Sequence, residues 1–236
     1  MSTGIPLKDS VQQSSIDEVM RFINRHIEPD EKPEEKTHTG YDWFYEYFSF
    51  VPEPNIREHF AQAYYQSRFV HKLLIALKLS GRESMPLLLL QLFEYASLYE
   101  ALTDYLIERK FESSSDFKPY KVVKEIRKYP ALNSNSWRLI FHKDEIDEPI
   151  FFAYEKDKSL QLRDIRFSDR IRYLGKKIGL TDPDATYIAK IYDLRNHIHL
   201  LKAADDNFVP SHEDCKKAFR ILRKFIENVR MELNKP

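Results

Sequence analysis

Apolar side chains recur along most of this chain at steps of three and four residues, the spacing that places them on one face of an α-helix. The clearest example lies within residues 187–201. Its apolar stripe consists of Tyr187, Ile191, Leu194, Ile198 and Leu201. Because these side chains share one face, the pattern predicts a helix that turns this stripe toward the core.

A second stripe on the same helix carries the candidate chemistry. It lies one position along from the first, starts with Ile188 and Tyr192, and then presents Arg195 and His199. Side chains four residues apart on a helix have Cβ atoms about 5–6 Å apart. The arginine and the histidine can therefore contact one small group, and phosphate is the anion that suits both.

Capping residues and helix breakers divide the rest of the chain into further helices. The predicted helices span residues 15–26, 55–79, 84–108, 119–129, 169–178 and 211–229. Asn55 and Ser168 are predicted to cap two of them, and Gly179 to end one. Ser211, with Asp214 three residues later, has the capping-box pattern that opens the last helix.

The predicted helix over residues 84–108 is unusually apolar. Beyond Phe93 its polar residues gather in an arc of roughly 120°, whereas a surface helix needs an apolar stripe only modestly wider than 100°. Other structure must therefore cover it from more than one side. It is either the central helix of a bundle or a helix covered by a second subunit. We expect a two-fold dimer that buries part of this helix together with the stripe that starts with Ile188 and Tyr192.

Six aromatic residues occupy eight positions in residues 43–50. One interpretation is a platform on which nucleobases stack. The other is a short helix whose rings fill a core or a subunit interface. The second is favoured, because no basic residue lies among the aromatic ones.

One small sheet is predicted. Residues 137–141 and 149–154 are short runs of aromatic and branched residues on either side of an acidic loop, which is typical of a β-hairpin. The fold class that follows is all-α, an antiparallel bundle of long helices around residues 84–108. Residues 1–83 are expected to be a helical extension packed on a domain of residues 84–236, with the hairpin inserted at about 137–155.

Composition restricts the class of protein. Lys plus Arg and Asp plus Glu each number 37, so the whole chain has no net attraction for nucleic acid. The single cysteine, Cys215, excludes an intramolecular disulfide and a cysteine-based zinc site. The longest apolar run, residues 86–90, is too short to span a bilayer. We expect a soluble cytoplasmic protein with no membrane partner and no cofactor.

Arg195 and His199 are suited to the cleavage of RNA. RNA carries its own nucleophile, the 2′-hydroxyl, so cleavage needs a base and a cation for the charge that grows on phosphorus. Histidine titrates near neutral pH, and arginine donates paired hydrogen bonds to phosphate oxygens. Asn196 adds a neutral donor. The alternative is structural: Arg195 pairs with a carboxylate such as Glu100 or Asp193, and His199 is satisfied at a helix interface.

Three segments of the chain resemble the HEPN superfamily. Residues 98–102 read Leu-Tyr-Glu-Ala-Leu, residues 167–175 read Phe-Ser-Asp-Arg-Ile-Arg-Tyr-Leu-Gly, and residues 193–199 read Asp-Leu-Arg-Asn-His-Ile-His. The resemblance covers roughly residues 84–233 without the hairpin. It implies a helical bundle, usually a dimer. Many members are metal-independent endoribonucleases of toxin or antiviral-defence systems, and others are non-catalytic nucleotide-binding or assembly domains.

The spacing of the motif departs from that family. Its catalytic pattern most often separates arginine and histidine by more than the three residues that lie between Arg195 and His199. Two hypotheses remain. The first is a dimeric, metal-independent ribonuclease with Arg195, His199 and Asn196 as catalytic residues and Glu100 as supporting ion-pair partner. The second is a non-catalytic module that dimerises and binds a nucleotide or a protein, such as an antitoxin or defence-system partner.

His197 is not expected to join a metal site with His199. The two histidines are two residues apart and point about 200° apart on a helix, so they cannot chelate one ion. The same geometry makes His197 a natural control in mutagenesis, since it lies away from Arg195.

Overall fold

The computed structural model describes residues 41–128, 153–196 and 209–235, together with the single positions Glu18 and Arg21. Those residues form six α-helices and one two-stranded sheet. The elements are α1 (Tyr41–Tyr47), α2 (Pro54–Ala76), α3 (Met85–Leu106), β1 (Val122–Lys128), β2 (Ala153–Ser159), α4 (Phe167–Ile178), α5 (Asp182–Asn196) and α6 (His212–Leu233). The predicted all-α class is therefore confirmed. Apart from Glu18 and Arg21, the predicted helix at residues 15–26 lies outside the described residues.

Helix α3 is the central helix of the bundle, which is the first of the two interpretations of its apolar surface. Helices α2, α4, α5 and α6 all pack against it. Its buried apolar residues are Leu88, Leu92, Tyr95, Ala96, Leu98, Tyr99, Leu102, Tyr105 and Leu106. Burying one large apolar side chain contributes about 1.5–3 kcal/mol, so the apolar surface of α3 is a main source of stability.

The central position of α3 removes one sequence argument for a dimer. Ile188, expected at the subunit interface, is fully buried within the single chain. The ring of Tyr192 packs on Phe167, with centroids 4.2 Å apart. The prediction that a second subunit covers Ile188 is therefore wrong, because the bundle already buries it, whereas Tyr192 is only half-buried.

The aromatic residues in α1 and directly after it confirm the core interpretation. Phe44 and Phe48 are completely buried, and both rings contact Tyr64 of α2. Their core is continuous with that of α3 and α6. Helices α1 and α2 therefore share one hydrophobic core with the rest of the bundle.

The helix predicted over residues 119–129 is wrong. A 3₁₀ turn at Lys118–Lys121 leads into β1, which pairs antiparallel with β2 and places Glu125 opposite Lys156. Lys124 Nζ also lies 2.7 Å from Glu155 Oε2. Opposite charges across a strand pair stabilise it, and a local pattern cannot reveal a partner about 30 residues away. The predicted hairpin lies outside the described residues except at residues 153–155, which belong to β2.

Two predicted helix caps are corrected and two helix ends are confirmed. Helix α2 begins at Pro54, one residue before Asn55, because the fixed φ of proline suits the first turn. Helix α4 begins at Phe167, one residue before Ser168. Gly179 ends α4 with φ of 70°, a left-handed conformation that favours glycine. Ser211 caps α6 by accepting a hydrogen bond from Asp214 N at 3.1 Å.

None of the helices in the described ranges combines the length and the apolar character needed to cross a membrane.

Candidate functional site

Charged side chains from α3 and α5 meet at one edge of the bundle. Arg195 lies in the last described turn of α5, and its Nη1 is 2.5 Å from Glu100 Oε2 on α3. Tyr192, one turn before Arg195, donates its hydroxyl to Glu100 Oε1 at 3.0 Å. Of the two carboxylates named from the sequence as partners for Arg195, the structure places Glu100 against it.

The apolar face of α5 sets this geometry. Ile188, Ile191 and Leu194 are buried in the bundle. Burying these three residues turns Tyr192 and Arg195 toward the polar arc of α3. Glu100 belongs to that arc, so the register of the apolar contacts brings the arginine to its carboxylate.

A second arginine, Arg170 of α4, lies behind the first. It forms an ion pair with Asp104, which lies one turn after Glu100 on α3. The Nη2 atom of Arg170 is also 3.5 Å from Glu100 Oε1. The side chain of Arg170 is only 3% exposed. Asp104, Arg170, Glu100 and Arg195 thus form a row of alternating charges, which we call the charge row.

Sequence reasoning missed Arg170 as a member of the site. It lies within one of the segments that carry the family resemblance, but no role followed from its position. The signal that was available is on α3, where Glu100 and Asp104 are one turn apart on a helix that is mostly apolar. Carboxylates in that setting need a cation from a neighbouring helix, because a buried unpaired charge is costly.

Burial shifts the acid–base properties of three groups near the row. It raises the pKa of the Asp104 carboxyl, although the adjacent Arg170 guanidinium acts in the opposite direction. It also raises the pKa of Glu94, against the lowering effect of Arg195. The pKa of the Tyr192 hydroxyl rises first through burial and then through the nearby Glu100 charge. The hydroxyl is therefore a hydrogen-bond donor at neutral pH.

Arg195 keeps hydrogen-bonding capacity beyond its ion pair. Its side chain is 40% exposed, compared with 26% for Glu100. Only Nη1 donates to a described residue, whereas a guanidinium carries five N–H donors in a planar fork. The remaining donors can bind an incoming anion while Glu100 holds the group in place.

The other predicted site residues fall at the limit of what the structure describes. Asn196 is the last residue of α5. His199 and His197 lie outside the described residues. The structure therefore brings Arg195 and Glu100 together and leaves the position of His199 as an expectation from helical spacing.

Residues 41–128, 153–196 and 209–235 contain no group of three or more His, Cys, Asp or Glu side chains placed to bind one metal ion. Cys215 is buried, with Sγ 3.6 Å from the carbonyl oxygen of Leu88. Burial raises the pKa of the thiol to about 12. The thiol is thus protonated at neutral pH. Because only the thiolate is an effective nucleophile or metal ligand, Cys215 is suited to neither role.

The charge row is the site that the geometry defines most fully. Helix α3 supplies its carboxylates, and α4 and α5 supply its guanidinium groups. Arg195, at the end of the row, is partly exposed to solvent, whereas Arg170, within the row, is buried. No protein-family model, curated protein or solved structure matches this chain.

Proposed function

We propose that this protein is a metal-independent endoribonuclease in which Arg195 stabilises the phosphate and His199 transfers the proton. One observation carries the proposal: a permanently charged guanidinium is anchored by Glu100 and remains 40% exposed. A cation held in this way is ready to meet the charge that develops on a phosphate in the transition state. Its resemblance to HEPN ribonucleases points to the same chemistry.

The charge row positions the arginine. A free arginine side chain has about 2 kcal/mol of rotamer entropy, much of which is lost when a ligand binds. The Glu100 carboxylate restrains Arg195 in advance, and Tyr192 and Arg170 in turn restrain Glu100. Glu100 is therefore a positioning residue, and Arg195 is the group expected to contact substrate.

The proposed reaction needs no metal. His199 accepts the proton of the RNA 2′-hydroxyl, whose oxygen forms a bond to phosphorus as the bond to the 5′-oxygen of the next nucleotide breaks. Arg195 balances the negative charge on the phosphate oxygens during this step. Asn196 supplies a further neutral donor. The products are a 2′,3′-cyclic phosphate end and a 5′-hydroxyl end, with the proton passed to the leaving oxygen.

EDTA provides the first test. We expect purified protein to cleave a fluorogenic single-stranded RNA at the same rate with and without about 5 mM EDTA, because arginine and histidine supply the charges that a metal would otherwise supply. The cyclic phosphate product, identified by mass spectrometry, is the second readout. A rate that vanishes with EDTA and returns with Mg²⁺ would overturn the proposed mechanism.

The direct pairing of Arg195 with Glu100 also favours a second candidate function. A guanidinium already bound to a carboxylate is what a structural ion pair requires, and such a protein would bind a nucleotide or a partner without cleaving it. Binding of RNA with no cleavage under any tested condition would support this non-catalytic module. An antitoxin or another defence-system protein would then be the type of partner to seek.

A homodimer belongs to the same proposal, because one arginine and one histidine make a sparse active site that a second copy can complete. The exposed side chain of Leu90 supports it. Leu90 lies one turn before Glu94 on α3, and Glu94 is close enough to Arg195 for the two charges to interact. An apolar side chain is therefore exposed on α3 one turn before Glu94.

Light scattering at micromolar concentration should give a mass of about twice 28.2 kDa. Leu90→Glu should shift the protein toward the monomer, because it puts a charge into the apolar contact. Met231→Glu, at another exposed apolar position on α6, is the matched control and should leave the mass unchanged. A monomeric wild-type protein that still cleaves RNA would separate activity from dimerisation.

A further inference from the structure

A groove on the outer face of α6 combines basic and aromatic side chains. Its volume is about 350 Å³, and its lining residues are Phe219, Arg220, Arg223, Lys224 and Glu227. The surrounding stretch, residues 215–226, contains five Lys and Arg and no Asp or Glu. Arg220, Arg223 and Lys224 are all exposed. This face of α6 is therefore positively charged although the whole chain is neutral.

A row of stacked rings leads from α1 to this groove. Trp43 stacks on Tyr47 with centroids 5.0 Å apart, and Tyr47 stacks on Tyr64 at 5.4 Å. Tyr64 stacks on Phe219, which lines the groove, at 6.2 Å. Trp43 and Tyr47 are only half-buried. The row thus ends at Trp43, whose ring is stacked on Tyr47 and whose side chain is partly exposed.

The acidic groups near the groove are already engaged. Glu227 accepts a hydrogen bond from the Tyr47 hydroxyl at 3.0 Å and pairs with Arg230 at 3.0 Å. Asp184, in the first turn of α5, pairs with Lys224 at 3.0 Å, and the Lys224 side chain remains 49% exposed. The groove is thus lined by three cationic side chains, of which Lys224 is paired with Asp184 and Arg223 also has a contact within the chain. Its single lining carboxylate is held by Tyr47 and Arg230.

Residues 43–50 contain no basic residue, and this absence disfavours a nucleic-acid interface when the sequence is considered alone. In the folded protein, however, another helix brings a basic side chain to some of these aromatic residues. Helix α6 supplies a basic residue from about 180 positions further along the chain, because Arg230 lies over the Tyr47 ring at 4.8 Å. Tyr47 also donates a hydrogen bond to Glu227, which lines the groove. Aromatic faces beside a positive groove are the usual means by which proteins bind single-stranded nucleic acid.

We propose that the α6 groove binds the phosphate backbone of single-stranded RNA through Arg220, Arg223 and Lys224, with Trp43 stacking on a base. This inference rests on the proposed function, which identifies the polymer as RNA. It adds the place on the protein that holds the RNA segment next to the cleaved bond. Lys224 contacts Asp184, eleven residues before Arg195 on α5. At about 1.5 Å per residue, the groove and the charge row are roughly 16 Å apart along that helix.

The test uses a fluorescein-labelled 2′-O-methyl RNA of about 12 nucleotides, which has no 2′-hydroxyl and cannot be cleaved. Its dissociation constant is measured by fluorescence anisotropy between 50 and 300 mM salt. The variant Arg220→Gln/Arg223→Gln/Lys224→Gln should weaken binding by at least about tenfold at 50 mM salt. It should also reduce the slope of log K against log salt by about 2, as expected for three lost phosphate contacts on a single strand.

A matched control removes the same charge elsewhere. Lys156, Lys158 and Lys176 are exposed on β2 and α4. Changing all three to Gln should leave affinity and salt slope within about twofold of the wild type. Trp43→Leu should weaken binding by about tenfold with an unchanged salt slope, because stacking involves no counterion release. Circular dichroism melting verifies that each variant is folded.

The outcomes separate this inference from the proposed function. If the groove variant binds like the wild type, the inference is wrong, whether or not the wild type cleaves RNA. If the groove variant loses binding while the wild type cleaves nothing, the groove stands and the ribonuclease proposal fails. Competition by millimolar ATP or inorganic phosphate as effective as that by unlabelled RNA would assign the groove to small phosphate compounds, and the RNA inference would be overturned.

Discussion

His199→Ala is expected to slow RNA cleavage by roughly 10²–10⁴-fold, because it removes the group that takes the 2′-hydroxyl proton. Arg195→Ala should have an effect of similar size through the lost stabilisation of the phosphate. The two losses should not add, since residues that act in one step fail together. Single-turnover cleavage of a short fluorogenic RNA gives the rates.

Three further variants make this test specific. His197→Ala should have little effect, because helical spacing places His197 on the far side from Arg195. Arg195→Lys keeps the charge but loses the planar fork, so it should recover only part of the activity. Glu100→Gln should lower the rate less than Arg195→Ala does, since it only loosens the guanidinium. If His197→Ala abolishes cleavage and His199→Ala does not, the assignment of the histidine is wrong.

Asp104→Ala is expected to lower the free energy of unfolding by roughly 3 kcal/mol, because it leaves the Arg170 guanidinium buried without its closest partner. The loss falls at the lower end of the range for broken buried pairs, since Glu100 still lies 3.5 Å from Arg170. Urea unfolding followed by circular dichroism measures it. The double variant Asp104→Leu/Arg170→Met should recover most of the loss, because it removes both charges from the interior.

An exposed ion pair serves as the control for that measurement. Lys124 and Glu155 join β1 to β2 with side chains 68% and 61% exposed. Exposed pairs contribute about 0–1 kcal/mol, so Lys124→Ala should change stability by no more than that. A loss below about 1 kcal/mol for Asp104→Ala would mean that the charge row does not stabilise the fold, and Arg170 would then need another explanation.

The sheet shows why local pattern is sometimes insufficient. The segment of β1 carries both the branched residues of a strand and the spacing of a short amphipathic helix, and its Val122 and Val123 remain substantially exposed. Neither conformation is imposed by burial. The partner strand β2 decides between them, through pairs such as Glu125 opposite Lys156, and that information is not local.

Sequence by itself determined the helices whose apolar spacing is long and regular and whose ends carry a chemical stop. Helices α2, α3 and α6 follow from periodicity, and Gly179 and Ser211 act where their backbone chemistry predicts. It also identified Arg195 as the candidate functional cation, because its position relative to the apolar stripe of α5 depends only on helical spacing.

Tertiary structure alone decided which charges meet. Glu100, rather than Asp193, contacts Arg195, because the packing of α5 on α3 selects the carboxylate on the facing arc. Arg170 joins the charge row only because α4 packs beside both helices. Likewise, Tyr47 meets Glu227 and Arg230 of α6 across about 180 positions. Such contacts depend on how apolar faces pack between helices, and spacing within one helix carries no information about the helix it will meet.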